Sequence, residues 1–384
     1  DGIGSSHRKK HDDALKDFHN ALTLQEQHLG PTHPDVAQTH NLLGATLTNL
    51  GRLDEAIGSF EKSLALHLAL EGPEHSHTAS AQHNLASTLR RKGRYAEALP
   101  YAEAALATRR LVLGPEHLDT LRSMESLART LQPLGRREEA LALLQELLEV
   151  RRRVLGPRTR EVATTCELLA ELYAAGEDWP EALTAADEEL AIALALKGPD
   201  DPLTARAHLT RADALVGLGQ WSDARKSLDE ALRIRRAEAG PESIEVVAVL
   251  QAQGRLALGQ RKGAEAKLFF EKALALREKL GGATHEALAS SKAGLGNALL
   301  QLDQPREAVA RFDEVLALLA DVDDTRRLAR AKVDLGRALL LADPGAKPRA
   351  LTLLTEGLPA LTPREREQLA PVLERAGLSF DAGR

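Results

Sequence analysis

Apolar residues recur along this chain at spacings of three, four and seven, the period of helices buried on one side. Residues 76–114 show the pattern twice. In "SHTASAQHNLASTLRRKG", Ala79, Leu85, Ala86 and Leu89 share a face. In "RYAEALPYAEAALATRRLVLG", Tyr95, Ala98, Leu99, Ala102, Leu106 and Leu113 do so. "KGR" separates the two helices and "LGPEH" closes the second. Turns this short force neighbouring helices to lie antiparallel.

The pair repeats. "LGPTH", "EGPEH", "LGPEH", "LGPRT", "KGPDD", "AGPES" and the worn "GGATH" carry Gly30, Gly72, Gly114, Gly156, Gly198, Gly240 and Gly282, each 42 residues after the last. Alanines follow the same step at Ala14, Ala56, Ala98, Ala140, Ala182, Ala224, Ala266, Ala308 and Ala350. Leucines keep it from Leu22 and Leu64 to Leu358. Small residues keep it at Gly44, Ala86, Ala128, Ala170, Ala212, Gly254, Gly296 and Ala338. Such registers mark a repeat protein, in which each pair buries its apolar face only by stacking on the next. The small residues belong where two helices cross closely. Large residues such as Phe60, Phe270 and Phe312 fill the space beside them.

Composition agrees with helices. Hydrophobic residues make up 43% of the 384 positions and aromatics only 3%, which leaves little of what strands favour. A net charge of −6 argues against a general nucleic-acid binder. One cysteine, Cys166, makes neither an internal disulfide nor a Cys-rich zinc site, and no run is apolar enough to span a membrane. A cytoplasmic location is the expectation. The chain opens on Asp1, and Gly2 falls at the small position of a first helix, so further chain upstream is expected.

The skeleton small–x11–Ala–x3–large–x3–Leu resembles the tetratricopeptide repeat. The usual unit has 34 residues. The longer form in "HNLASTLRRKGRYAEALPYAEAALATRRLVLGPEHLDTL" resembles the repeat of kinesin light chains. The resemblance implies an all-α, right-handed superhelical solenoid of antiparallel helix pairs. Residues 1–36 would be a partial first repeat, mostly a second helix. Residues 37–360 would form eight pairs, and 361–384 a capping helix and tail. Late copies depart from the pattern: "DVDDT" replaces the GP turn and "DPGAKP" the internal one. Thr362 before Pro363 reads as the start of the closing helix.

Candidate chemistry is sparse. His33, His75, His117 and His285 sit at equivalent turns, where Thr159, Asp201 and Ser243 stand in other copies. All can accept a hydrogen bond at a helix start, so capping is expected of them. His67, His75, His77 and His83 are dense, but their spacings match no standard metal pattern. "GIGS" at 2–5 lacks the rest of a phosphate loop. Cys166 reads as a packed thiol, and acid pairs such as Glu188–Glu189 as solvated helix faces. The expectation is therefore no catalytic residue, no cofactor and no metal.

What remains is a surface. In tetratricopeptide arrays the first helices line the concave side. The resemblance carries that role to Asn41 in one copy, and to His83, Ser87, Arg90 and Arg91 in the next. It then carries it to Arg122, Glu125 and Arg129, to Glu167 and Glu171, to Arg206 and Asp213, to Gln251 and Arg255, and to Asn297. Four arginines gather in two neighbouring copies and two acids in the next, which suits an extended peptide of matching charge. These charges could equally do no more than solvate the groove. The expected function is a protein-interaction module binding a partner protein or peptide, with no nucleic acid or membrane as partner. The chain also resembles the helical tails of large bacterial serine/threonine kinases and nucleotide-binding regulators. That alternative makes it the sensing or recruiting part of a polypeptide whose catalytic domain lies upstream. A self-associating scaffold is a further alternative.

Overall fold

The computed structural model describes residues 2–281, 285–375 and 377, and all regular structure among them is helical. The turn at 282–284 and the tail at 378–384 lie outside the described residues. The chain divides into two compact units, Asp1–Leu147 and Leu148–Arg384. The first contains α1 (Gly2–Leu29), α2 (Pro34–Asn49), α3 (Leu53–Glu71), α4 (Ser76–Arg91), α5 (Tyr95–Val112) and α6 (Leu118–Leu131). The division falls within α7 (Arg137–Leu155). The second unit contains α8 (Arg160–Ala175), α9 (Trp179–Lys197), α10 (Pro202–Gly217), α11 (Trp221–Ala239) and α12 (Ile244–Gly259). It continues with α13 (Gly263–Leu280), α14 (His285–Gln301), α15 (Pro305–Leu319), α16 (Thr325–Ala342), α17 (Lys347–Gly357) and α18 (Pro363–Arg375).

Register places an internal turn near residue 9, but α1 runs unbroken from Gly2 to Leu29. Most other copies turn at a residue with positive φ, among them Gly51, Gly93, Gly135 and Gly219 at 71–79°, while Gly345 of the last copy lies in a 3-10 turn instead. Lys9 holds that position in α1 and stays helical. Glu177, Arg261 and Asp303 hold it elsewhere at φ 63°, 58° and 58°, the left-handed region that L-residues enter only at a cost.

The glycines of the GP turns are different. Gly72, Gly198 and Gly240 have positive φ as expected, but their ψ values are 178°, −178° and 167°. That is extended mirror-image backbone, which is essentially restricted to glycine, rather than a left-handed helical cap. It explains why the inner turn tolerates Glu, Arg and Asp while the outer one keeps glycine. In the worn copy the cap is Gly281, one residue ahead of the register.

The alanine column is the centre of each pair. Ala56, Ala98, Ala140, Ala182, Ala224, Ala266, Ala308 and Ala350 are all fully buried. The small column faces the large one. A Cβ on Gly44 would stand 2.8 Å from the Phe60 ring, one on Gly254 2.7 Å from Phe270, and one on Gly296 2.7 Å from Phe312. Where the partner is Leu144 or Leu228, the small residue is Ala128 or Ala212. The two columns share one volume.

A double-mutant cycle tests that account. Gly254→Ala gains about 1 kcal/mol in helix propensity, yet the buried ring leaves it a net loss of about 1–2 kcal/mol. Phe270→Leu loses about 1–2 kcal/mol. Together they recreate the Ala–Leu pair of neighbouring copies, so urea unfolding should show the double variant at least about 1 kcal/mol more stable than the sum of the singles. Strict additivity would contradict the shared volume.

The last helix begins as expected. The Thr362 hydroxyl accepts from the Glu365 backbone N–H at 3.1 Å, and the Glu365 carboxylate accepts from the Thr362 N–H at 2.9 Å. This reciprocal capping box satisfies two donors that a helix start leaves open.

Candidate functional site

The turn histidines cap helices. The Nδ1 atoms of His33, His75 and His117 accept from the backbone N–H of Asp35, His77 and Asp119 at 3.1, 3.3 and 3.2 Å. Thr159 and Asp201 do the same for Val162 and Leu203. Ser243 departs from the expectation: it makes no side-chain cap, and its buried hydroxyl has no hydrogen-bond partner among the described residues. The residues just before His285 lie outside the described set.

Within each unit, first helices touch the next first helix as well as their own partners: α2 meets α4, α4 meets α6, α8 meets α10, α10 meets α12, α12 meets α14 and α14 meets α16. In each unit they form a layer that bears polar side chains. Much of its chemistry is spent between copies. In the first unit Asn84 donates to the Asn41 side chain at 3.0 Å, and Arg91 to the Thr48 carbonyl at 3.1 Å. The hydroxyls of Thr48 and Thr88 meet at 3.3 Å.

The arginines of the first unit are unequal. Arg122 is well exposed and pairs with Asp119 at 3.0 Å. Arg129 pairs with Glu125 at 3.0 Å. Arg90 is half-buried, and its Nε has no hydrogen-bond partner among the described residues. Burial first, and the Arg129 charge beside it second, weaken its hold on a proton. His83 is pushed down to about 4 by burial and by Arg109 and Arg90, so it is neutral at pH 7. Ser87 is half-buried on the same helix.

In the second unit Arg255 grips both oxygens of Asp213 at 2.7 and 2.8 Å. The Asn297 carbonyl accepts from Arg337. Gln251 is buried: its amide donates to Ser291 at 2.6 Å and accepts from Arg277 at 3.3 Å. Arg206 reaches Glu167 at 3.0 Å and Glu189 at 3.6 Å.

Glu189 corrects the sequence reading. Glu188 is on the surface and pairs with Arg152, as a solvated acid should. Glu189 is fully buried, and burial together with Glu167 pushes its carboxyl up to about 8. The signal was present in the register, because Glu189 stands in the column of Ser63, Ala105, Leu147, Ala231, Ala273 and Val315, all buried. Cys166 behaves as expected of a packed thiol, with burial pushing it up to about 12.

The dense histidines separate. His83 faces arginines, whereas His67, His75 and His77 converge on Glu71. Spacing along the chain could not show this, because Glu71 ends one helix and His77 begins the next.

Among the described residues no helix is long and apolar enough to cross a membrane. The chain is similar in fold to BtubC (BKLC) from P. vanneervenii, at 22% identity and a TM-score of 0.52, over 61% of this chain and 92% of that one. It is also similar to a Rap protein complexed with Competence and Sporulation Factor, at 14% identity and a TM-score of 0.60, over 89% and 93% of the two chains. A third similar structure is a tetratricopeptide repeat protein from Parabacteroides merdae ATCC 43184, at 16% identity and a TM-score of 0.52, over 77% and 98%. No curated protein matches the chain. The tetratricopeptide repeat profile matches at residues 3–69, 35–110, 77–153, 125–194, 161–237, 203–279 and 245–321. The ends of those matches advance by about the 42-residue step of the GP turns, on helix pairs whose small and alanine columns meet at the crossing, and the chain belongs to the tetratricopeptide repeat family.

Proposed function

We propose that this interaction scaffold binds an extended, acid-bearing segment of a partner protein on the first-helix layer of its N-terminal unit. Arg90 carries the reading. It is a half-buried cation with a buried Nε that has no hydrogen-bond partner among the described residues, and a like charge, Arg129, as neighbour. Such a group is stabilised by an incoming carboxylate. Arg122 and Arg129 flank it, each paired with a carboxylate on its own helix, Asp119 and Glu125, that an incoming acid can replace. Asn41, His83, Ser87, Arg91 and Glu125 complete the surface, polar enough to hold a peptide backbone in register.

In the C-terminal unit Glu167, Glu171, Arg206, Asp213, Arg255 and Asn297 take the equivalent places. Gln251 is omitted, because its amide is satisfied inside the layer. The Rap protein of similar fold, complexed with Competence and Sporulation Factor, supports a stack of this kind receiving a partner. Catalysis is not assigned to the repeats.

The test uses an immobilised array of random peptides. Acid-rich peptides should be enriched on the wild-type chain and released by salt. Arg122→Glu with Arg129→Glu should weaken their binding by about tenfold or more. Unchanged peptide selection would reject the surface. Both side chains reach solvent, so the variant should keep its melting temperature.

A further inference from the structure

We propose that His67, Glu71 and His77 form a binding site for a divalent transition-metal ion of the zinc class. The site lies at the outer turn between α3 and α4. The Glu71 carboxylate stands 3.0 Å from His67 Nδ1 and 2.9 Å from His77 Nδ1. The three ligand atoms all lie within 4.8 Å of one another. A tetrahedral zinc ion with bonds of about 2 Å needs ligand atoms about 3.3 Å apart, so a small rotation of the exposed His77 ring closes the set. His67 is buried, Glu71 mostly so, and His77 half-exposed. The ion would have a dry inner wall and an open side for water. His75 Nδ1 also lies 2.8 Å from Glu71, but that nitrogen accepts the backbone N–H of His77 as the helix cap. It cannot serve both partners, and it stays outside the ligand set.

The other repeats supply an independent observation. At the position of His67 four copies carry arginine: Arg109, Arg151, Arg235 and Arg277. Arg109 and Arg151 are buried and donate to the carbonyls of Asp119 and Glu161, and to the hydroxyls of Ser123 and Thr165. In this copy Ala81 replaces that hydroxyl. At the position of Glu71 the neighbours are Leu29, Leu113 and Leu155. At the position of His77 four copies carry an acid, Asp35, Asp119, Glu161 and Glu245, and one carries Leu203. The arginine, its acceptor and the first-turn acid are also absent together at Ala193, Ala207 and Leu203, but there Lys197 stands in the place of Glu71, whereas this copy sets two imidazoles around one carboxylate.

The backbone holds the ligands ready. The Thr78 hydroxyl donates to the Gly72 carbonyl at 2.7 Å, as Thr120 and Thr204 do for Gly114 and Gly198. The end of α3 and the first turn of α4 are therefore fixed relative to one another, and little ordering remains to be done on binding.

The experiment titrates zinc chloride into the full 384-residue chain, free of any affinity tag and stripped with chelator, by calorimetry and by thermal melting. The wild type should bind about one ion with a micromolar or tighter constant and melt higher when loaded. Glu71→Gln and His77→Ala should each weaken binding by about thirtyfold or more. His67→Arg installs the residue other copies carry, so it should fold and lose the site. His75→Asn keeps a capping side chain and should bind zinc within about threefold of wild type. No binding by the wild type at about 100 μM zinc would overturn the site. So would unchanged affinity in Glu71→Gln and His77→Ala, which would place the zinc on other histidines.

Discussion

Ala182→Arg should break the C-terminal unit at its α8–α9 pair. Ala182 has no exposed surface and lies in a column of alanines that are equally buried. A guanidinium there has no room and no partner. Overpacking alone costs about 1–3 kcal/mol, and a buried unpaired charge adds several more. The total is about 4 kcal/mol or above, in the range reserved for damage to a core. For a unit of this size that corresponds to a melting point lowered by about 10 °C. Repeat stacks are stabilised by neighbour contacts, so the loss should also split one cooperative transition into broader ones. Calorimetry reads both effects. A melting curve identical to wild type would remove the helix-crossing account of the alanine column.

Glu189→Gln should do the opposite, and only above mildly acidic pH. The folded chain holds the Glu189 proton up to about pH 8, whereas an unfolded carboxyl releases it near 4.5. Between these values the folded state binds more protons than the unfolded state. Stability therefore falls as pH rises from about 4.5 to about 8, and the full penalty is present above that. Each pKa unit corresponds to about 1.4 kcal/mol, so the penalty is on the order of 5 kcal/mol. Arg206 offsets little of it, because it stands nearer to Glu167. Glutamine keeps the shape and removes the ionisation. The variant should be more stable than wild type by on the order of 5 kcal/mol at pH 9 and similar to it at pH 5. Equal urea midpoints at pH 9 would mean that the carboxylate is solvated or paired in the folded chain.

Much of the architecture was legible because it is written as a period. Each copy restates the same packing problem, so Gly44, Gly254 and Gly296 could be matched to their large partners without coordinates. The capping role of His33, His75 and His117 was legible for the same reason, since Thr159 and Asp201 replace them with other acceptors. The candidate surface was legible only as a set of positions. Which residues on it are already engaged was not, because partners such as Asn84 for Asn41 and Arg337 for Asn297 lie one repeat away. Side-chain length and rotamer decide whether they meet.

Glu189 marks the division. Reading it beside Glu188 makes it one of two exposed acids, while reading it by the 42-residue column makes it core. The His67–Glu71–His77 cluster marks it again. Its members come from the end of one helix and the start of the next, and a turn with φ 82° at Gly72 folds them onto one point. The sequence by itself determined the helical class, the repeat length, the crossing columns and the capping turns, because each is a local rule repeated at fixed spacing. Only the tertiary structure decided which charges are paired, which acid is buried and which histidines share a carboxylate, because those depend on distances between segments that periodicity does not encode.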